Sequence, residues 1–328
     1  MHRHRAFELP PEKVHSLRKA IRLEWLTIAF FISAVVVIYI TLGSSQAMKA
    51  AWAEDILALI PPIVFLVATR IRLRNPDKEF PYGYHRAVGI GYLAAALALL
   101  TLGIFILYDS VSKLIRFEHP PIGLVQPFGE PVWLGWFMIA ALVWTLAPAV
   151  VLGRLKMPLA KELHDKVLYA DAEMNKADWM TAGAAILGIL GIRFGLWWAD
   201  AVAAIVISLS IVKDGLKNTR AAVIDLMDAR PRLVDESGID PVMSRAETEL
   251  AKMPWIKEAR VRFREEGHVF YGEAFVVPSD DRNLAGRIAE ATRTLMELDW
   301  RLHDIVISPV TELREPQTQH EEAIEEGP

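Results

Sequence analysis

The chain has 328 residues, 53% of them hydrophobic, with a mean hydropathy of +0.26. The apolar excess lies before residue 217, so a membrane domain precedes a water-exposed one. A net charge of −4 is too small to argue for nucleic acid, and the lack of cysteine excludes disulfides and thiolate metal sites.

The chain begins with a basic arm, residues 1–22 (MHRHRAFELPPEKVHSLRKAIR). The first apolar run starts near Leu23 and outruns the roughly 7–15 residues of a signal-peptide core. It reads as a retained span. Stretches long enough to cross a bilayer, which takes about 20 helical residues, are Leu23–Leu42, Ala47–Val67, Val88–Leu114, Val132–Leu152, Val167–Gly191 and Leu196–Val212. Together they predict a six-helix domain over residues 23–215. Trp197 and Trp198 suit the last span to a membrane interface.

Lys and Arg set the orientation. The arm and the links after spans two and four hold fifteen of them, Arg86, Arg154 and Lys156 included; the opposite links hold only Lys49, Lys113, Arg116 and Arg193. That positive-inside bias puts both termini in the cytoplasm. The proline-rich link Phe117–Pro131 then lies outside. Pro61-Pro62 falls within span two and predicts a kink, either incidental or used in gating. Small residues in span five, such as Gly183 and Gly188, permit close helix packing.

Past a linker at residues 216–232, a helix at about Asp235–Lys252 is expected. Strands Ile256–Glu265 and His268–Val277, a helix Asn283–Leu298 and a strand His303–Pro309 follow. The order αββαβ makes residues 233–310 a small α+β, ferredoxin-like domain. Residues 311–328 are acidic and expected to be disordered.

Charges inside apolar spans are the main functional signal. A charge at the bilayer centre costs at least ~3 kcal/mol. Span five opens with Asp171, Glu173, Lys176 and Asp178, and span two carries Glu54 and Asp55. Anionic spots in two spans imply a cation path through the membrane.

Three motifs carry a resemblance. PYGYHRA at Pro81–Ala87, ADAEMNKAD at Ala170–Asp178 and WWADAVAA at Trp197–Ala204 resemble, in that order, motifs of the cation diffusion facilitator family. The likeness covers about residues 15–310. It implies a homodimeric, proton-coupled exporter of a divalent metal of the manganese, iron, zinc or cobalt class. The metal and protons are then substrates, the partners are a second copy and the lipid bilayer, and the location is a bacterial inner membrane. No organic cofactor is implied. The family's transport site takes two ligands from span two and two from span five, each pair at i and i+4, which is one helical face. In this chain Asp55 and Asp178 stand at the second place of each pair, and Ala51 and Met174 at the first.

The altered set leaves the ion open. Two carboxylates favour hard ions such as Mn²⁺ or Mg²⁺, whereas a Met174 thioether favours soft ones. Met174 is also a common helix filler. Glu54 and Glu173 lie about 100° round their helices from the ligand face. Asp171, two turns from Asp178, offers a second site on the same path. The resemblance also implies an ion pair between Arg86 and Asp228 at a dimer interface. Asp200 is assigned either a structural hydrogen-bonding role or one in transport, and Asp109 pairs with Lys113 at i+4. Around Asp77 the family's peripheral metal site is incomplete, since Phe80 stands where a histidine is expected. The tail-domain strands hold no internal histidine, so a domain without the usual zinc cluster is expected. Two other classes remain. One is a relative that lost part of the site and serves as a structural or regulatory partner. The other is a membrane enzyme, which no nucleophile, triad or cofactor loop supports.

Overall fold

Long helices fill the first 226 residues of the computed structural model, which describes residues 9–72, 74, 77–118, 122–126, 130–235, 237–267 and 269–313, without the side chains at 72, 95, 98 and 176–180. Helix α1 spans Pro11–Thr41, with proline in the first turn, where its missing N–H costs nothing. Helix α2 spans Gln46–Leu57 and α3 spans Ile60–Arg72. Helix α4 is Ala87–Ile115, α5 is Leu134–Leu163, α6 is Lys166–Arg193 and α7 is Ala199–Leu226. The link between α4 and α5 holds a short antiparallel hairpin, β1 (Leu124–Val125) and β2 (Val132–Trp133).

Helices α1, α4, α5 and the run Gln46–Ile71 are each long and apolar enough to cross a membrane. Helices α6 and α7, with 28 residues each, are about 42 Å long. Helix α4 lies along α7, α5 along α6, and α1 along α5; α2 packs on α7 and α3 on α4. Glycine sets the approach of α4 to α7, and also that of α6 to α7. A Cβ at Gly215 would come within 2.8 Å of the Leu100 backbone, and one at Gly188 within 2.7 Å of the Ala203 methyl. Both positions need the missing side chain.

Three helix bounds bear on the sequence spans. Span two is not one kinked helix: the chain turns at Ala58 and Leu59, and Pro61 and Pro62 enter the first turn of α3, where prolines fit. The helix that carries span four continues past Leu152, the end of its apolar run. Helix α5 runs on to Leu163 through Pro148 and Pro158, ending at His164 in the left-handed conformation. Within residues 216–232, read as a helix leaving the membrane and then a linker ending at Pro231, the helix runs to Leu226.

The chain separates into two compact units. The second contains α8 (Val242–Ala251), β3 (Ile256–Glu266), β4 (Val269–Pro278), α9 (Leu284–Leu298) and β5 (Leu302–Pro309). Helix α8 starts seven residues later than expected, because Asp240 and Pro241 form its entry: Asp240 accepts from the Val242 amide at 2.9 Å. The sheet order is β3-β4-β5, and β4 runs parallel to β5 across the α9 crossover. Val242, Leu250, Phe263, Phe270, Ala274 and Leu295 form its buried core. The acidic tail past residue 313, His2, His4 and His268 lie outside the described residues.

Candidate functional site

The site begins with how α2 is held. Four amides at a helix start lack helical acceptors. Ser45 caps α2 by accepting from the Met48 amide at 3.1 Å. Asp200, fully buried in the first turn of α7, accepts from the Ser45 hydroxyl, from the Gln46 amide and, at 3.2 Å, from the Ala47 amide. A carboxylate at that end also meets the positive pole of the helix. Of the two roles considered for Asp200, the geometry is that of a structural anchor.

Asp55 sits in the last turn of α2. A cavity of about 20 Å³, enough for about one water, lies against it and is lined by Ala51, Glu54, Asp55, Thr145 and Thr181 among others. The Oδ2 of Asp55 is buried there and has no hydrogen-bond partner among the described residues. Leaving a buried polar atom unpaired costs ~1–3 kcal/mol, and more for a charged group. Asp55 is therefore an acceptor awaiting a donor or a cation.

The helix break adds to this. Residues 61 and 62 would donate to the Leu57 and Ala58 carbonyls in a continuous helix, but both are proline and carry no N–H. The Ala58 amide bonds back to the Glu54 carbonyl at 2.8 Å, and the Leu59 amide to Ile56 at 3.2 Å. The negative end of α2 thus lies one turn past Asp55. Such half-helix ends attract cations inside membranes.

Other candidates fall in different places. Glu54 lines the same cavity as Asp55, although its helical angle argues against this; the cavity wraps the end of α2 and meets both residues. Ala51 lines it with no ligand atom. Asp178 belongs to α6, three residues before the cavity-lining Thr181, and its side chain lies outside the described residues. Met174 faces a separate cavity of about 20 Å³ with Leu57, Pro61, Tyr92 and Asn218. Asp171 is buried on α6 against Lys156 of α5. Glu173 faces Lys217 at 3.4 Å in an exposed pair.

Among the charges at the loops, Arg86 pairs with Asp228 within the chain. Lys113 donates to Asp109 at 2.6 Å and to Gln46 Oε1 at 3.0 Å. Asp77 already accepts from the Tyr84 hydroxyl at 2.6 Å and from the Phe80 and Glu79 amides. These bonds, led by that of Tyr84, hold its carboxyl below the usual range, and Asp77 in turn pushes the Tyr84 phenol up. With its oxygens so engaged, Asp77 is the centre of a turn.

Sequence reasoning misses Glu24 and misplaces Lys156. Lys156 reads as a loop charge, but the continuation of α5 buries it fully beside Glu24 of α1. A lone Glu one residue inside the first apolar run is the available signal.

Comparison with known proteins fits a membrane domain with buried acids on α2 and α6. The family described as Cation efflux transmembrane domain matches residues 23–227. The chain belongs to this cation efflux family. It is 29% identical over 230 residues to the manganese efflux system protein MneS of Bacillus subtilis, which is 67% of this chain and 73% of that one. It is 24% identical over 266 residues to metal tolerance protein C1 of Arabidopsis thaliana, 79% of this chain and 55% of that one. It is 23% identical over 198 residues to a cadmium, cobalt and zinc/H(+)-K(+) antiporter of Bacillus subtilis, 60% of each chain. As a cation efflux protein the chain is a multi-pass membrane transporter and not an enzyme. Divalent metal cations are the substrate class.

Proposed function

We propose that this chain exports a divalent metal cation from the cytoplasm in exchange for protons, through a site formed by Asp55 of α2 and Asp178 of α6. The observation that carries the reading is the unpartnered Oδ2 of Asp55, buried beside a cavity that α6 also lines through Thr181. Positions 178 and 181 are less than one helical turn apart and lie on adjoining faces. In this reading the Leu57 and Ala58 carbonyls, deprived of their i+4 donors at the nearby end of α2, supply oxygen in place of the ligand missing at Ala51. An all-oxygen set suits hard ions, and the manganese efflux relative agrees with that chemistry.

The wider arrangement belongs to the same proposal. The spans are α1, the pair α2–α3, α4, α5, α6 and α7. Both termini are cytoplasmic, the membrane is a bacterial inner membrane, and the chain works as a homodimer. Residues 233–310, a ferredoxin-like αββαβ domain, serve its dimerisation, and Arg86 and Asp228 lie near the dimer interface. Ions bind when Asp55 and Asp178 are ionised and leave when protons replace them. Rocking of the bundle about the site then alternates access.

Proteoliposomes with a metal-sensitive dye inside test this. Wild type carries Mn²⁺ and moves protons the opposite way; Asp178→Ala and Asp55→Ala lose the flux. One charged ligand is worth ~1.5–3 kcal/mol, so binding by calorimetry weakens about ten- to a hundredfold. Undiminished flux in either variant overturns the site. Ala51 and Met174, at two of the family's four ligand places, favour one other reading, a regulatory relative that does not transport. Wild-type vesicles that carry no divalent metal would establish it.

A further inference from the structure

Deep in the membrane unit, the Lys156 Nζ donates to Glu24 Oε2 at 2.9 Å and to Asp171 Oδ2. Asn175, one turn along α6, donates to Asp171 Oδ1 at 3.3 Å. Lys156 and Glu24 have no solvent exposure, and Asp171 and Asn175 have 2% and 1%. Three helices, α1, α5 and α6, therefore converge on one ammonium and two carboxyls. Among the described residues, the charged groups acting on Glu24 are Lys156 of α5 and Asp171 of α6; α2 and α3, which also pack on α1, contribute none.

The charges do not balance. One ammonium against two ionised carboxyls leaves a net negative charge in a dry interior, which is costly. The hydrogen bonds do not balance either. Glu24 Oε1 is buried and has no donor among the described residues. Its carboxyl and that of Asp171 are both held by the one Lys156 ammonium, yet two ionised carboxylates are both acceptors only. One proton removes both difficulties. The cluster becomes neutral, and an O–H appears on a carboxyl pair whose members were acceptors only. Two adjoining acids holding one proton between them is a known arrangement for such a pair.

Stability alone does not account for these residues. A buried ionic cluster replaced by apolar side chains of similar volume is often as stable or more so. Its position is also apart from the Asp55 cavity: none of Glu24, Lys156 and Asp171 lines that cavity. Asp171 precedes Asp178 by seven positions, about 10 Å along α6.

We infer that Glu24, Asp171 and Lys156 form a proton-holding site inside the membrane unit, separate from the metal site, and that its proton is one that is exchanged during transport. The step is a proton transfer only. The O–H bond on the Glu24–Asp171 pair breaks, the proton passes to water on the side open at that moment, and the pair stays held by the Lys156 ammonium until a proton returns. The exchange role rests on the proposed export function; the presence of the proton does not.

Two measurements on the full-length protein in lipid separate these points. The first is infrared difference spectroscopy at neutral pH, without metal. Wild type shows a carboxylic-acid C=O band that is lost in Glu24→Gln and in Asp171→Asn. A spectrum in which neither substitution removes such a band overturns the proton site, whether or not the protein transports. Two substitutions are named so that failure of one to assemble still leaves a reading. The second is proton movement accompanying Mn²⁺ in vesicles. Glu24→Gln keeps its calorimetric Mn²⁺ affinity, loses about tenfold in linked proton flux (a change of ~1.4 kcal/mol in barrier) and has a flattened pH profile; Glu24→Asp restores both. Proton flux and pH profile equal to wild type in Glu24→Gln overturn the exchange role and leave the cluster as a static tie between helices. Wild-type vesicles that move no metal defeat the export reading instead, and the infrared band then decides the site alone.

Discussion

The Asp200 carboxylate and the Ser45 hydroxyl meet at the start of α2, and the same carboxylate takes the Gln46 and Ala47 amides. This tie fixes α2 against α7 and thereby the height of Asp55, three turns along. Removing it leaves buried amides without acceptors. Asp200→Ala is expected to cost ~2–3 kcal/mol, from loss of bonds to a charged acceptor and of a cap. A lower melting temperature in detergent, together with weaker Mn²⁺ binding by calorimetry, is the expected result. A melting temperature equal to wild type would contradict it.

Ala51 marks the place where a carboxylate is missing. Ala51→Asp puts two acids at i and i+4 beside a cavity that holds about one water. Without metal the pair repels and is poorly solvated, so the melting temperature falls. With Mn²⁺ the extra ligand is engaged, and the metal-induced rise in melting temperature exceeds that of wild type; at a hundredfold excess over Kd such binding contributes ~2.7 kcal/mol. Thermal melts with and without Mn²⁺ read both effects.

Pro61 and Pro62 make a separate prediction. Replacing both with alanine supplies two amides to the Leu57 and Ala58 carbonyls and joins α2 to α3. Each restored bond contributes ~1 kcal/mol, partly offset by the looser unfolded chain. If those carbonyls serve the ion, the double variant binds Mn²⁺ more weakly while melting no lower than wild type. Unchanged affinity would separate the break from binding.

The second unit carries a pH dependence. Burial works to raise the Asp299 carboxyl, but the hydrogen bonds and charge of Arg301 outweigh it and hold the group below the usual range. Burial likewise lowers Arg301, and its bonds to Asp299 and Asp240, the latter at 2.6 Å, more than reverse this. A carboxyl depressed on folding contributes stability that is present above its unfolded value of about 3.9 and lost as pH falls through the folded value. The unit should therefore melt lower as pH drops below about 4. Asp299→Asn should melt lower at neutral pH, by ~1–2 kcal/mol, and show a shallower acid decline.

The pattern of apolar runs reveals the helices, and the alternation in residues 256–277 reveals the strands, because burial on one face imposes a period. Boundaries set by single contacts are less visible. Helix α8 starts late because of the Asp240 cap, and α2 ends early because proline, read as a kink, fits better as a helix start. The site is legible where a charge stands alone in an apolar run, as at Asp55. Lys156 is not, because its number suggests a loop and only the continuation of α5 through Pro158 turns it inward. Pairing across helices, as between Glu24 and Asp171, leaves no mark in the order of residues.

The turn at Ala58 and Leu59 has a mechanical consequence. Above it α2 rests on α7; below it α3 rests on α4. A continuous rod would oblige both neighbours to tilt together. Both halves also share α1 and α6 as neighbours, so a knee at this point lets them part only where one meets α7 and the other α4, and the Asp55 carboxyl lies just before the joint. On the proposed export reading, a small bend there would change which end of the crossing is open with little displacement of the ion, so the joint that has to move can be as short as two residues.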